Sequence, residues 1–237
     1  MRLHRFIGKF DLTNKNLLIT DKEIINQISR VLRFQPGDEI ILGDGSLNEA
    51  VFLIERIGKG GIEGQIIGRH KNKNELPIYG ILYCSVLKKE NFEFVVQKAT
   101  ELGIKEVVPV ISNRTVKLNF NRERLEKIIR EAAEQSGRGM LPKISEPVKF
   151  EKAVEIAAKE NDLNLFFDLK GESLRNNFHI SPSLVHIGLF VGPEGGWDES
   201  EYELAKKSKF KPISLGTLTL RAETAAIAAI ATALNTH

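Results

Sequence analysis

The 237 residues include one cysteine, one tryptophan and three tyrosines, and no apolar run reaches the length of about 18 that a membrane span needs. A single thiol, Cys84, excludes a disulfide framework and any zinc site built on cysteines. The N-terminus, MRLHRFIGKF, lacks the apolar core of a signal peptide, so the expected compartment is the cytoplasm, with no membrane contact. Several chemistries are missing too. There is no GxxxxGK[ST] phosphate loop, no GxSxG elbow and no HExxH pair. The histidines (His4, His70, His179, His186 and His237) are scattered without ligand spacing, so no metal is expected. The first strand-to-helix turn, Val86 to Asn91, holds no glycine, which removes the Rossmann dinucleotide fingerprint.

What remains is an ordinary globular composition, 42% hydrophobic and 27% charged. The charge is uneven. Residues 1–73 carry 12 Lys/Arg against 9 Asp/Glu, whereas the rest of the chain carries 22 of each. A basic front end suits a polyanionic partner.

Residues 1–72 read as a small β domain. Short runs at Glu39–Leu42, Ala50–Ile54 and Ile62–Ile67 alternate with Gly/Pro turn signals. One helix interrupts them, capped by Asp21, with Ile24, Ile28, Val31 and Leu32 on its apolar stripe. The polar segment 71–77 reads as a linker. From Tyr79 strands alternate with helices: strands at 81–87, 107–110, 144–148 (weak) and 163–167, helices at 91–102, 122–135 and 151–159. That grammar implies an α/β domain over 73–237 with a mainly parallel sheet.

The last fifty residues organise the rest. A buried strand, Val185–Val191, runs into Gly192-Pro193-Glu194-Gly195-Gly196. Asp198 and Glu201 form a capping box for a helix to about Lys209. A second strand, Ile213–Leu215, is broken by Gly216, and a final helix begins near Ala222. Two glycine-broken loops at the ends of neighbouring strands mark a ligand site, as open α/β sheets place it.

Five motifs occur in order: RVLR (Arg30–Arg33), QKATELG (Gln97–Gly103), EQSGR (Glu134–Arg138), VGPEGG (Val191–Gly196) and LRAETA (Leu220–Ala225). Together they resemble the RsmE family of ribosomal RNA methyltransferases, of the SPOUT class, along the whole chain. The resemblance implies a Rossmann-like sheet with a C-terminal trefoil knot that holds S-adenosylmethionine, and a PUA-like RNA-binding barrel in front. It also implies a homodimer built through the knot, and methylation at N3 of a uridine in 16S ribosomal RNA of the small ribosomal subunit. Gln27 departs from the pattern, since family members often carry a histidine in that segment.

On this reading the cofactor would be gripped by Gly192, Pro193, Glu194, Gly195 and Gly196, and by Leu215, Gly216, Leu218 and Leu220. Leu165 and Phe167, with Phe166 beside them, would close the pocket from the preceding strand. Uridine N3 carries a proton, so the reaction needs an acceptor for it or a cation that stabilises the imide anion. Arg221 and Glu223, which open the last helix, are the candidates. Arg221 could instead anchor a phosphate, and Glu223 could simply answer the helix dipole. Arg2, Arg5, Arg30, Arg33, Arg114 and Arg138 are the expected RNA contacts, with Phe6 a stacking surface. Two other readings stay open. A ribose 2′-O SPOUT methyltransferase would need an Asn-x-x-Arg context that the first helix lacks. A non-catalytic RNA-binding assembly protein would have no need of the two glycine loops. The alanine-rich tail suits a close helix contact, in a dimer or through propensity alone.

Overall fold

The computed structural model describes residues 3–115, 120–173 and 185–234; Arg2, His179 and His237 lie outside them. The chain divides into two compact units, Met1–Glu75 with Ala133–Leu141, and Leu76–Ala132 with Pro142–His237. The front unit thus ends slightly later than the sequence reading placed it and recruits a distant segment.

In the first unit β1 (Arg5–Ile7), β2 (Asn16–Ile19), β3 (Glu39–Gly43), β4 (Asn48–Gly58) and β5 (Gly61–Lys71) form one sheet in the order β1-β3-β4-β5-β2. Only β1 and β3 run parallel. On β4 the alternate residues Ala50, Phe52 and Ile54 are buried, as a half-covered strand requires. They pack with Ile40, Leu42 and Ile62, and with Ile24 and Ile28 of the helical segment. Phe6 is fully buried in this core, so it offers no stacking surface to RNA.

Helix α1 (Lys22–Asn26) starts where the Asp21 carboxylate accepts the N–H groups of Glu23 and Ile24 at 2.8 and 3.1 Å. It then widens into a π turn over Gln27–Val31. Leu32 N–H donates to the Gln27 carbonyl at 2.9 Å, one residue further back than in an α-helix. The extra residue rotates the stripe, so Val31, expected inside, is 66% exposed. Arg33 follows in the left-handed region (φ 59°), an uncommon place for a side chain and one that the fold must impose.

The front unit also buries a carboxylate. Glu49 is 2% exposed and receives Arg5 Nε at 2.8 Å, Arg5 Nη2 at 3.2 Å and Asn72 Nδ2 at 2.8 Å, with His70 Nε2 at 3.1 Å. The recruited segment closes on the same unit. Glu134 accepts from Ile7 N–H at 2.7 Å, and the Gly137 carbonyl accepts from Asn72 and Asn74. Arg138 pairs with Glu75 at 2.8 Å. The EQSGR motif is therefore a tie within this unit.

In the second unit every strand pairing is parallel. The strands are β6 (Tyr79–Ser85), β7 (Glu106–Ile111), β8 (Lys143–Ile144), β9 (Val148–Lys149), β10 (Leu163–Ser173), β11 (His186–Val191) and β12 (Lys211–Ser214). Their order is β12-β10-β11-β6-β7-β8, with β9 also on β7. The weak strand expected at 144–148 is in fact the two short strands β8 and β9. Around the sheet lie α2 (Lys89–Glu101), α3 (Arg122–Ser136), α4 (Phe150–Glu160), α5 (Glu199–Lys207) and α6 (Ala222–Leu234). Central β6 and β11 are buried on both faces, which explains their continuous apolar runs.

Tyr83 and Phe190 stack in parallel at 4.3 Å, and Phe150, Phe166 and Trp197 complete the cluster. Each buried aromatic of this kind contributes about 2–3 kcal/mol. Strand β10 meets Ile213 of β12 twice, through Phe167 and again through Glu172. At that close approach a Cβ on Gly171 would lie 2.4 Å from the Ile213 nitrogen, so only glycine fits. Much of the α6 alanine stripe is spent within this unit: Ala222, Ala226, Ala229 and Ala233 are buried there. Among the described residues no helix is long and apolar enough to cross a membrane.

Removing one partner of a buried pair leaves a desolvated charge, so Arg5→Ala should destabilise the protein by about 3 kcal/mol. Denaturant melts of wild type and variant check this. A cost below about 1 kcal/mol would mean that His70 and Asn72 satisfy Glu49 without the guanidinium.

Candidate active site

Strands β11 and β12 end on either side of β10, and the loops leaving them, with Phe167 to Lys170 of β10, line a cavity of about 350 Å³. Its wall is made by Val191 to Trp197 after β11, by Leu215, Gly216, Leu218, Thr219 and Leu220 after β12, and by Phe167 to Lys170 within β10. Arg114, Ile213, Ala222 and Ala225 complete it.

The tryptophan fixes this geometry. Its indole stacks on Phe166 at 4.8 Å, and its N–H donates to the Phe167 carbonyl at 3.1 Å. The same ring lies where a Cβ on Gly192 would approach it to 3.1 Å. The glycine loop is thereby seated on the middle of β10. Gly196 (φ 68°) and Gly216 (φ 135°) take backbone conformations that side chains disfavour, turning both loops around the cavity. Ser214 Oγ donates to the Gly216 carbonyl at 2.9 Å, which tightens the second turn.

On the far side of the glycine loop, Asp198 caps α5. It accepts from Glu201 N–H at 2.9 Å, while the buried Glu201 carboxylate accepts from Asp198 N–H at 3.0 Å. The expected capping box is present. Its carboxylates also hold the turn after β7: Asn113 N–H donates to Glu201 at 2.8 Å, and Asn113 Nδ2 to Asp198 at 2.5 Å. Hydrogen bonds from Glu201 N–H, Asn113 and Ser200 hold the Asp198 carboxyl down at about 2. Burial, with Glu194 nearby, pushes the Cys84 thiol up to about 12, which leaves it protonated and inert.

Most of the sequence-derived cofactor set converges here. Phe167, Gly192, Pro193, Glu194, Gly195, Gly196, Leu215, Gly216, Leu218 and Leu220 all line the cavity. Leu165 does not: it is fully buried two residues upstream on β10. Sequence reasoning missed Trp197, Asp168 and Thr219, though Trp197 directly follows the glycine motif. Arg114, expected on RNA, is exposed and lies in the cavity wall, with Nη1 2.6 Å from the Gly195 carbonyl. Arg221 is exposed and Glu223 half-buried; neither is in the wall, although Ala222 between them is. One Glu223 carboxylate oxygen is buried without a hydrogen-bond partner.

The expected RNA contacts separate by exposure. Arg30 and Arg33 are exposed. The Arg5 and Arg138 side chains are only 8% and 5% exposed and are closed on Glu49 and Glu75. Their guanidinium groups are committed to the fold, so they leave the phosphate-binding set.

A family model of RNA methyltransferase domains matches residues 74–234, and one of RNA methyltransferase PUA domains matches residues 19–67. Ribosomal RNA small subunit methyltransferase E of Synechocystis is 34% identical over 87% of this chain and 69% of its own length. Its namesake from Rickettsia conorii is 32% identical over 92% of this chain and 89% of its own. The chain belongs to this methyltransferase family. The Neisseria gonorrhoeae member, solved with S-adenosylmethionine, superposes with a TM-score of 0.86 at 30% identity, covering 97% of this chain and 96% of that one. A Legionella pneumophila methyltransferase, also with S-adenosylmethionine bound, gives 0.85 at 29%, over 98% and 96%.

The residues of this member fit such a cofactor. The cavity is within the size range of small-molecule sites, about 300–1,000 Å³, and it joins apolar walls to exposed loop backbone. Both glycine loops offer polar backbone groups, while Leu215, Leu218, Leu220 and Phe167 supply apolar surface for a flat base.

Asp198→Ala should cost about 1 kcal/mol, as N-cap losses do, and weaken cofactor binding severalfold by loosening Asn113 and the start of α5. Because the folded-state pKa is the lower one, this contribution is complete above the ordinary carboxylate range and is lost as pH falls toward about 2. Melts of both proteins from neutral to acid pH check this; the difference should begin to shrink below about pH 4. A difference that grows in acid would contradict the assignment.

Proposed function

We propose that this chain methylates N3 of a uridine in 16S ribosomal RNA of the small ribosomal subunit, with S-adenosylmethionine as donor. The observation that carries the reading is the two-loop cavity at the ends of β11 and β12, against β10, in a chain of this family. The cytoplasm is its proposed compartment. A C-terminal trefoil knot is the proposed topology of the loops around the cavity. The doubled meeting of β10 with Ile213 supports that reading, since it requires the chain to pass itself closely. A PUA-like barrel is proposed for the front unit, and a homodimer for the assembly.

The donor supplies an electrophilic methyl on a sulfonium: the N3 electron pair forms the new C–N bond, and the pair of the breaking C–S bond stays on sulfur. The protein's part is to bind, orient and manage one proton. The glycine loops and leucines hold the donor. Arg221 is the proposed anchor of an RNA phosphate, supported by its exposure beside the wall residues Leu220 and Ala222. Glu223 is the proposed acceptor of the N3 proton, supported by its partnerless buried oxygen. That role requires the side chain to swing from its present side of α6 toward the cavity. Arg30 and Arg33 carry the front unit's contact with phosphates, displayed around exposed Val31 by the π turn and the left-handed Arg33.

Labelled S-adenosylmethionine with small subunits that lack the modification should yield 3-methyluridine on nucleoside analysis. Label on a ribose oxygen would reassign the reaction, and no label despite cofactor binding would remove it. Arg221→Ala should raise KM for the subunit about tenfold with little change in kcat, as the loss of a phosphate contact does. Glu223→Gln should lower kcat by about 10²-fold if it takes the proton. An unchanged kcat would return Glu223 to a purely helical role.

A further inference from the structure

Arg114 differs from the other arginines near the site. It lies in the cavity wall, whereas Arg221 stands outside it. Among the described residues its one hydrogen bond is to a neutral acceptor, the Gly195 carbonyl, and no carboxylate pairs with it. The turn that carries it is braced on both sides. Ser112 Oγ and Thr115 Oγ1 lie 2.9 Å apart, Ser112 N–H donates to Thr115 Oγ1 at 3.0 Å, and Asn113 is held by Asp198 and Glu201. A permanent cation is thus fixed at the cavity, with donors left over, before any substrate arrives.

We infer that Arg114 is a catalytic residue, whose guanidinium donates to a carbonyl oxygen flanking N3 of the bound uracil and stabilises the imide anion that receives the methyl. The inference rests on the uridine-N3 reading above. Loss of the N3 proton spreads negative charge onto the two flanking carbonyl oxygens. A guanidinium contacting one of them leaves N3 open toward the donor. A fixed positive charge favours the deprotonated base, so more of the reactive form exists at neutral pH. Preorganised donors of this kind act most strongly where charge develops and water is excluded. The bond to Gly195 gives the same side chain a second consequence: the arginine is oriented by the very loop that forms the donor site.

Single-turnover methylation of small subunits by wild type, Arg114→Gln and Arg114→Lys, measured across pH, tests this, with calorimetry of S-adenosylmethionine binding alongside. Arg114→Gln should bind the cofactor within about threefold of wild type yet transfer methyl roughly 10²-fold more slowly at neutral pH. The deficit should narrow as pH rises, because the base then ionises without help, and Arg114→Lys should restore part of the rate. A deficit independent of pH, or one that only tracks lost cofactor affinity, would reduce Arg114 to a clamp on the glycine loop and overturn the inference. Wild-type rates in Arg114→Gln at every pH would overturn it as well. If wild type itself forms no 3-methyluridine, the proposed function falls and takes this role with it.

Discussion

The indole of Trp197 is the contact on which the site depends. Two separate stretches meet at one ring: Phe166 of β10 stacks on it and the Phe167 carbonyl accepts its N–H, while Gly192 lies against its face. A buried indole N–H needs an acceptor, and here that need ties the middle of β10 to the loop after β11. The neighbouring capping box extends the same rigidity to the turn after β7, because Asp198 and Glu201 serve both the helix start and Asn113. A loop built from three glycines would otherwise be the most mobile part of the domain. Its order is borrowed from the aromatic core beneath.

The arginines show how one residue type divides by environment. Arg5 and Arg138 neutralise carboxylates within the front unit and hold that unit together. Arg30 and Arg33 are left exposed by a π turn and a left-handed residue, a local arrangement that costs backbone energy and persists because the surrounding core enforces it. Arg114 is exposed like Arg30 and Arg33, but its guanidinium is held. It is bound to a carbonyl at a cavity, which preserves its full charge for whatever enters. Nothing in the local sequence around these residues separates the three classes.

The same division runs through the motifs. VGPEGG reads correctly from sequence because glycine and proline act through the backbone, so their consequences are local. EQSGR reads less well. Its Glu134, Gly137 and Arg138 act on Ile7, Asn72, Asn74 and Glu75, partners more than sixty residues away. In RVLR the apolar stripe predicted an inward Val31, but an extra residue in the turn rotated it out.

By itself the sequence determined the alternation of strands and helices from Tyr79 onward, the parallel character of the second sheet, the capped start of α5 and the two glycine loops. All of these follow from periodicity and from backbone preferences that act over a few residues. The tertiary structure alone decided which expected contacts belong to the cavity, admitting Arg114, Asp168 and Trp197 and excluding Leu165. It also decided which arginines remain available, because burial and pairing depend on residues brought together by folding. Side-chain identity fixes what a group can do; the carboxylate or carbonyl that the fold sets opposite it fixes what it does.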